Sequence, residues 1–578
     1  MTQRFGSDVM VDAIKACGFE YVALNPGSSY RGLHDSLVNY GDNDPEIITC
    51  NHEKLAVGIA HGYAKASGRP MAAILHDLVG LLHGAMGIYY ASIDRAPVVV
   101  LGGAGPMASE RRRPNIDWIH TANVQGNAVR DYTKWDDQPA SIAAVPHSIM
   151  RAHRIATAAP QGPVYVALDA GLQEDELAGA VELPQWGRLR TPEPIGPAPA
   201  ALERLAERLV AAERPVLVAG YAGRDPAAFG QLVALAELLA IGVIETSWRL
   251  SFPNRHPLNV TGTDAIEEAD CVLFVDVKDM GKPTQELDRT TRRVRSRIPS
   301  DATILDVGFN DLGASAWSHD FAALHETDLQ VTADTAVALP LLLERCRALE
   351  AAQPDRPAAR ADRRAALARL HDATWSGWGA QADREAALSP VATARLAADV
   401  WEAVREHDWV LSAGTASDWA LRTWDFDRPY RHPGRSLGTA TQIGISLGVA
   451  LAHRGSGRLV VDLQPDGDLM FDLGALWIAA YHRIPLLVVM FNNRAYYNDW
   501  EHQERIARHR GTDVARAYIG MEIDRPAPDF AAIARGLGWH GEGPIADAGA
   551  VPAAVRRAAA VVAGEGRPAL VDVVCRPE

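Results

Sequence analysis

The sequence predicts an α/β protein built from three consecutive doubly wound parallel-sheet domains. Short apolar, β-branched runs alternate with longer helical patterns from one end to the other, as expected where parallel sheets are covered on both faces. At 578 residues, the chain is too long for one core and suits about three or four domains. Two proline-rich breaks, Trp186–Ala200 and Ala351–Leu370, then divide it into 1–185, 195–350 and 370–578.

In the first segment the strand-like runs are "MAAILH", "APVVVLGG" and "GPVYVALD". The second has "RPVLVAG", "ADCVLFVDV" and "ATILDVG", and the third "DWVLSAG", "GRLVVDLQ", "PLLVVMFNN" and "PALVDVV". The first break reads as a linker, and the second begins with prolines and becomes an Ala/Arg helix. Ligands of doubly wound sheets bind beyond the carboxyl ends of strands. The stretches "LQPDGD", "MFNNRAYYND", "LSAGTAS" and "ILHDLVG" are therefore where chemistry is expected.

Composition narrows the function. There are 57 Lys and Arg against 72 Asp and Glu, a net charge of −15, which argues against general nucleic-acid binding. The basic "ERRRPN" (Glu110–Asn115) is too short for a phosphate track and reads as a solvated loop. Cys17, Cys50, Cys271, Cys346 and Cys575 are scattered without CxxC spacing, so neither a zinc site nor a disulfide framework is expected. No signal-peptide core and no apolar stretch of about 20 residues is present, so a cytosolic protein with no membrane contact is expected.

Asp466 follows one strand-like run, and the pair Asn492–Asn493 follows the next. A carboxylate, an amide oxygen and a backbone carbonyl form a hard oxygen set suited to Mg²⁺, which takes few protein ligands and completes its octahedron with water and phosphate oxygens. Gly467 lets backbone approach an anion closely, and a helix starting near Leu469 would aim its amides there. The segment between has the length of one helix and one strand. Far away in sequence, "NPGSSYRGLHDSL" precedes "NHEKLAVGIAHGYAKASGRP". Leu55, Ile59 and Tyr63 fall at helical spacing among small residues that permit close packing, and Glu53 stands at the helix start, where its charge suits the dipole.

These two motifs resemble those of the thiamine-diphosphate-dependent enzymes. The Asp466-Gly467 to Asn492-Asn493 spacing, with about two dozen residues between, is similar to that family's Gly-Asp-Gly to Asn-Asn pattern. Pro465 stands where its first glycine is usual, which removes one amide. The resemblance spans essentially the whole chain and is strongest with benzoylformate decarboxylases and acetolactate-synthase-like proteins, through Pro139–Asp169 and Ala475–Pro485. It implies a pyrimidine-binding domain, a middle domain and a diphosphate-binding domain in that order. It further implies thiamine diphosphate and Mg²⁺ as cofactors, a small-molecule substrate, and an obligate homo-oligomer, dimer or tetramer, with each site shared between subunits.

By the same resemblance, Asp466, Asn493 and the carbonyl of Ala495 would ligate the metal. Thr415 and Gly467 would contact the diphosphate end of the cofactor, and Asp468 would be a further cofactor-binding residue. Ile443 would prop the cofactor in its bent shape, plain core being the alternative. Glu53 would contact the aminopyrimidine ring and relay its proton. Ser28, His76 and His120 would face the substrate, although His76 also suits a buried structural role. Asp499, six positions beyond Asn493, would move protons if burial raised its pKa; a helix N-cap is its alternative.

The expected activity is 2-oxo acid decarboxylation or carboligation. A 2-hydroxyacyl-CoA or acyloin lyase using the same cofactor is the alternative, with Asp499 taking the hydroxyl proton. An NAD- or FAD-binding oxidoreductase is disfavoured, because neither "VVVLGGAGP" nor "VLVAGYAGRD" completes GxGxxG.

Overall fold

The structure is a computed structural model that describes residues 3–577, apart from 310, 311, 313–323, 353–356, 413, 415, 416 and 437. Three parallel sheets follow one another along the chain. The first contains β1 (Tyr21–Leu24), β2 (Glu46–Thr49), β3 (Met71–Leu75), β4 (Val98–Ala104), β5 (Asp136–Asp137) and β6 (Val164–Asp169), in the order β2-β1-β3-β4-β6-β5. The second contains β7 (Pro215–Ala219), β8 (Gly242–Glu245), β9 (Cys271–Val275), β12 (Thr303–Gly308) and β13 (Leu329–Thr332), ordered β13-β12-β9-β7-β8. A small antiparallel hairpin, β10 (Gln285–Leu287) with β11 (Val294–Ser296), stands apart from it. The third contains β14 (Trp409–Leu411), β15 (Leu459–Pro465), β16 (Leu487–Asn492), β17 (His540–Ile545) and β18 (Ala569–Val574), ordered β14-β15-β16-β18-β17.

All ten runs named from the sequence contain strands, because each is a short, predominantly apolar stretch that is largely buried. In β4, Val98 and Val100 enter one core while Val99 and Leu101 enter another. The first of these cores is shared, since Val460, Val488 and Leu570 of the third sheet lie in it too. Two helices fill this seam, Glu53–Ser67 and Gln442–Ala452. A Cβ on Gly62 would lie 2.0 Å from the Ile445 carbonyl oxygen, and one on Gly448 would lie 2.1 Å from that of Ile59. Only glycine permits so close an approach of two helix backbones.

Buried charge joins the first unit to the second. Asp94 is fully buried, with Lys65 Nζ, His61 Nε2 and Arg249 of the middle unit each 2.6 Å from its carboxylate. Burial disfavours that charge, yet Arg249 and Lys65 hold the carboxyl well below its usual range. The Ala/Arg helix expected after the second break runs Pro357–Arg384. Arg360 and Arg363 donate to the carbonyls of Leu238 and Ala240 at the end of the Pro226–Leu239 helix, supplying donors that a helix C-terminus lacks. Among the described residues, no helix is long and apolar enough to cross a membrane.

Candidate active site

In the first sheet the chain runs from β1 outward to β2, then crosses back to β3, so the order reverses between β1 and β3. Asn25, Glu53 and His76 each follow one of these three strands, at the carboxyl ends and the reversal point where α/β sheets bind ligands. Glu53 opens its helix as expected and is 4% exposed. Asn25 Nδ2 donates to its Oε1 at 3.0 Å, and His83 Nδ1 lies 3.3 Å from its Oε2. A Cβ on Gly80 would come within 2.9 Å of Glu53 Oε1, so glycine lets the Asp77–Ile93 helix close on the carboxylate.

His76 sits beside this group, and its Nδ1 lies 2.9 Å from Ser29 Oγ. The Gln173 side chain donates to the Ser29 carbonyl. Burial, then the nearby His120, push the His76 pKa down. The two rings are 5.4 Å apart between centroids, so the structure brings His76 and His120 together although they are 44 residues apart. Asp77 holds this geometry. Its backbone is left-handed at φ 46, its carboxylate accepts from Thr121 Oγ1 at 3.0 Å, and burial pushes its pKa up to about 6. A non-glycine residue in that conformation is strained, and such strain gathers at functional sites. Ser28 is exposed; the serine that touches His76 is its neighbour Ser29.

The second half of the site lies in the third sheet. Pro465 pairs with Phe491 in the β15–β16 register, which sets Asp466 and Asn493 beyond adjacent strand ends, with Asn492 the last residue of β16. Asp466 is 2% exposed, and the neighbouring amides of Gly467, Arg494 and Ala495 favour its charged form. Its Oδ2 is nonetheless buried without a hydrogen-bond partner, and burial pushes its pKa up to about 6. A buried carboxylate oxygen left without a partner is costly, and a hard cation is the partner it suits. Asn493 Oδ1 accepts from the Ala495 amide at 3.1 Å.

The cleft above these residues has a volume of about 700 Å³, and all of its lining lies between Gly438 and Glu501, including Gly467, Asp468 and Asp499. Thr439 and Ala440 at its rim are left-handed, at φ 52 and 62. Asp468 accepts from the Ala440 and Gln442 amides, tying this strained rim to the floor. Ile443 is fully buried in the shared core, and Thr439 is the side chain from that segment lining the cleft. Asp499 is exposed at the third position of the Tyr497–Arg510 helix, whose N-cap is Tyr496. Thr415 lies outside the described residues.

One local expectation is corrected. The single helix expected between Gly467 and β16 is two short ones, Asp466–Leu469 and Ala475–Tyr481. The chain breaks there because Gly474 packs on the first unit. Its carbonyl accepts from Asn51 Nδ2 at 2.9 Å, and a Cβ would lie 2.2 Å from that nitrogen. Sequence reasoning also left Asn25, Ser29, Asp77 and His83 without roles. Asn25 and Ser29 carried a signal, standing at the end of β1 in "NPGSS". His83 carried none, since it reads as one polar residue in an apolar helix.

Comparison with known proteins shows the family. Residues 4–128 match the N-terminal TPP binding domain of thiamine pyrophosphate enzymes, residues 202–308 their central domain, and residues 412–573 their C-terminal TPP binding domain. The chain is 26% identical over 545 residues to benzoylformate decarboxylase of Pseudomonas aeruginosa, covering 91% of each. It is 25% identical over 570 residues to the probable chloroplastic acetolactate synthase 2 of Oryza sativa subsp. japonica, covering 93% of this chain and 79% of the relative. Among solved structures, the thiamine diphosphate-dependent 4-hydroxybenzoylformate decarboxylase of Rhodococcus jostii RHA1 superposes with a TM-score of 0.77 at 20% identity, over 99% of both chains. A putative thiamin diphosphate-dependent enzyme of Mycobacterium smegmatis gives 0.75 at 20% identity over 100% of both. The chain belongs to the thiamine pyrophosphate (thiamine diphosphate) enzymes and carries the three domains of that family in order.

Proposed function

We propose that this enzyme is a Mg²⁺-dependent lyase of the family, cleaving or forming a carbon–carbon bond beside a carbonyl, and that it acts as a 2-oxo acid decarboxylase or carboligase. The observation that carries the metal assignment is the buried, partnerless Oδ2 of Asp466, beyond the end of β15 and next to the strand that delivers Asn493. Asp466, Asn493 and the Ala495 carbonyl would hold Mg²⁺. Gly467, Asp468 and Thr415 would contact the cofactor, and Ile443 would act from the core behind the rim. When bound, thiamine diphosphate supplies the carbanion-stabilising chemistry, and the protein supplies orientation and proton transfer.

Glu53 would hold the proton at the aminopyrimidine end, fixed by Asn25. His76, positioned by Ser29, and His120 would handle protons on the substrate, with Ser28 also facing it. Supporting a homodimer or homotetramer, the Glu53 group and the 438–501 cleft share no lining residue. A second copy would bring one half to face the other. Leu82, Phe471 and Tyr481, exposed at 56%, 58% and 63%, give such an interface apolar surface. The domain limits 1–185, 195–350 and 370–578 belong to the same reading. So does a cytoplasmic location, which five buried cysteines without a disulfide suit.

A panel of 2-oxo acids tests the activity. CO₂ release from at least one, dependent on added cofactor and Mg²⁺, is expected; release from none would overturn the decarboxylase assignment. The lyase acting on 2-hydroxyacyl-CoA or acyloins is the second reading, favoured by the exposed Asp499 carboxylate in the same cleft as Asp466. Formyl-CoA released from a 2-hydroxyacyl-CoA would select it.

A further inference from the structure

We propose that His83 and Glu53 form a proton-exchanging pair, with His83 as the positioning residue that sets the charge on Glu53. The proposal rests on the cofactor reading above. Each oxygen of Glu53 has its own partner, and the two partners differ in kind. Asn25 at Oε1 is an amide, which holds the carboxylate but cannot exchange a proton at neutral pH. His83 at Oε2 is an imidazole, a group that can both give and take a proton.

The placement is built rather than incidental. Gly80 and His83 lie three residues apart on one helix face, and Gly80 removes the side chain that would hold that face away from Glu53. The His83 side chain is 62% exposed and that of Glu53 only 6%, so one ring spans from the buried carboxylate to solvent. Its other face stacks on His52, 5.0 Å away. His52 Nδ1 is committed to the Lys54 amide, which leaves His83 as the ring that binds Glu53. The other titratable groups around the pair are His76, Tyr30 and Cys50 near Glu53, and Lys54 with Asp472 near His52. In the exchange a proton moves from Glu53 Oε2 to His83 Nδ1, giving carboxylate and imidazolium, and returns. No heavy-atom bond changes, and the Nε2 proton of His83 equilibrates with solvent.

The test is calorimetric binding of thiamine diphosphate with Mg²⁺ in buffers of different ionisation enthalpy, which counts protons taken up on binding. Between pH 6 and 8 the parent should show a proton linkage that falls by roughly half a proton or more in His83→Asn. That variant keeps an amide donor for Oε2, so cofactor affinity should stay within about threefold, while the acidic limb of the kcat/KM profile shifts. His83→Gln should behave alike, with thermal unfolding confirming that both variants fold. Parent-like proton linkage and pH profile in both variants would overturn the pair while leaving the cofactor reading intact. A parent chain that takes up no thiamine diphosphate would remove that reading and the pair together.

Discussion

Pro465 of β15 stands in register with Phe491 of β16, and this single pairing converts a long sequence interval into one site. The next residues along the two strands are Asp466 and the Asn492–Asn493 pair. Asp466 keeps a buried oxygen without a partner, an arrangement that costs stability and makes sense as a ligand in waiting. Asp466→Asn should therefore weaken Mg²⁺-dependent cofactor uptake by roughly 100-fold, ~2.7 kcal/mol. Without metal, the same variant should be at least as stable as the parent, as expected where function is kept at a cost in stability. Isothermal titration and thermal unfolding of the metal-free protein check the two halves.

The glycine seam between the Glu53–Ser67 and Gln442–Ala452 helices predicts a reversal of ordinary helix propensity. Alanine normally favours a helix over glycine by about 1 kcal/mol. At Gly62 the added Cβ would meet a backbone oxygen at 2.0 Å, which cannot swing aside. Gly62→Ala should destabilise by about 2–3 kcal/mol. Gly379→Ala, in the Pro357–Arg384 helix with open space around it, should stabilise by up to ~1 kcal/mol. Denaturant midpoints of the two variants should move in opposite directions.

Glu245 at the end of β8 predicts a pH dependence. Burial pushes its pKa from 4.5 up to about 7, against hydrogen bonds from the Ser247 and Ser251 amides. The folded state thus holds the proton more tightly than the unfolded chain. Its cost is absent below the unfolded pKa, grows as pH rises, and is complete above about 7. Glu245→Gln should raise the unfolding free energy at pH 8 more than at pH 5, the difference being on the order of 1–3 kcal/mol. Equal shifts at both pH values would contradict the assignment.

Much of the fold was legible because buried parallel strands announce themselves as continuous β-branched runs. The strands that escaped notice are short or polar, chiefly at sheet edges. β2 begins with Glu46, β5 is Asp136–Asp137, and β17 carries Gly541, Gly543 and Pro544 with a register shift. Strand order was not legible, since it depends on pairings between distant segments. In the site, Asp466, Asn493 and Glu53 are singled out by motifs that resemble the family's, since a carboxylate or an asparagine pair after a strand is by itself ordinary turn chemistry. Ser29 could not be separated from Ser28, because both follow Gly27 and only the backbone path decides which meets His76. The proton-moving role of Asp499 is conditional on burial, and the structure places this residue exposed in the first turn of a helix whose N-cap is Tyr496. His83 needed the three-dimensional crossing of two helices.

One titration tests the central claim most directly: thiamine diphosphate added to the purified protein with Mg²⁺ present, followed by calorimetry, alongside Glu53→Gln. Saturable uptake of one cofactor per chain is predicted in both, lost when Asp466 is replaced by Ala, with turnover in Glu53→Gln reduced by at least ~100-fold. No saturable uptake by the parent, or Glu53→Gln turning over as fast as the parent, would contradict it.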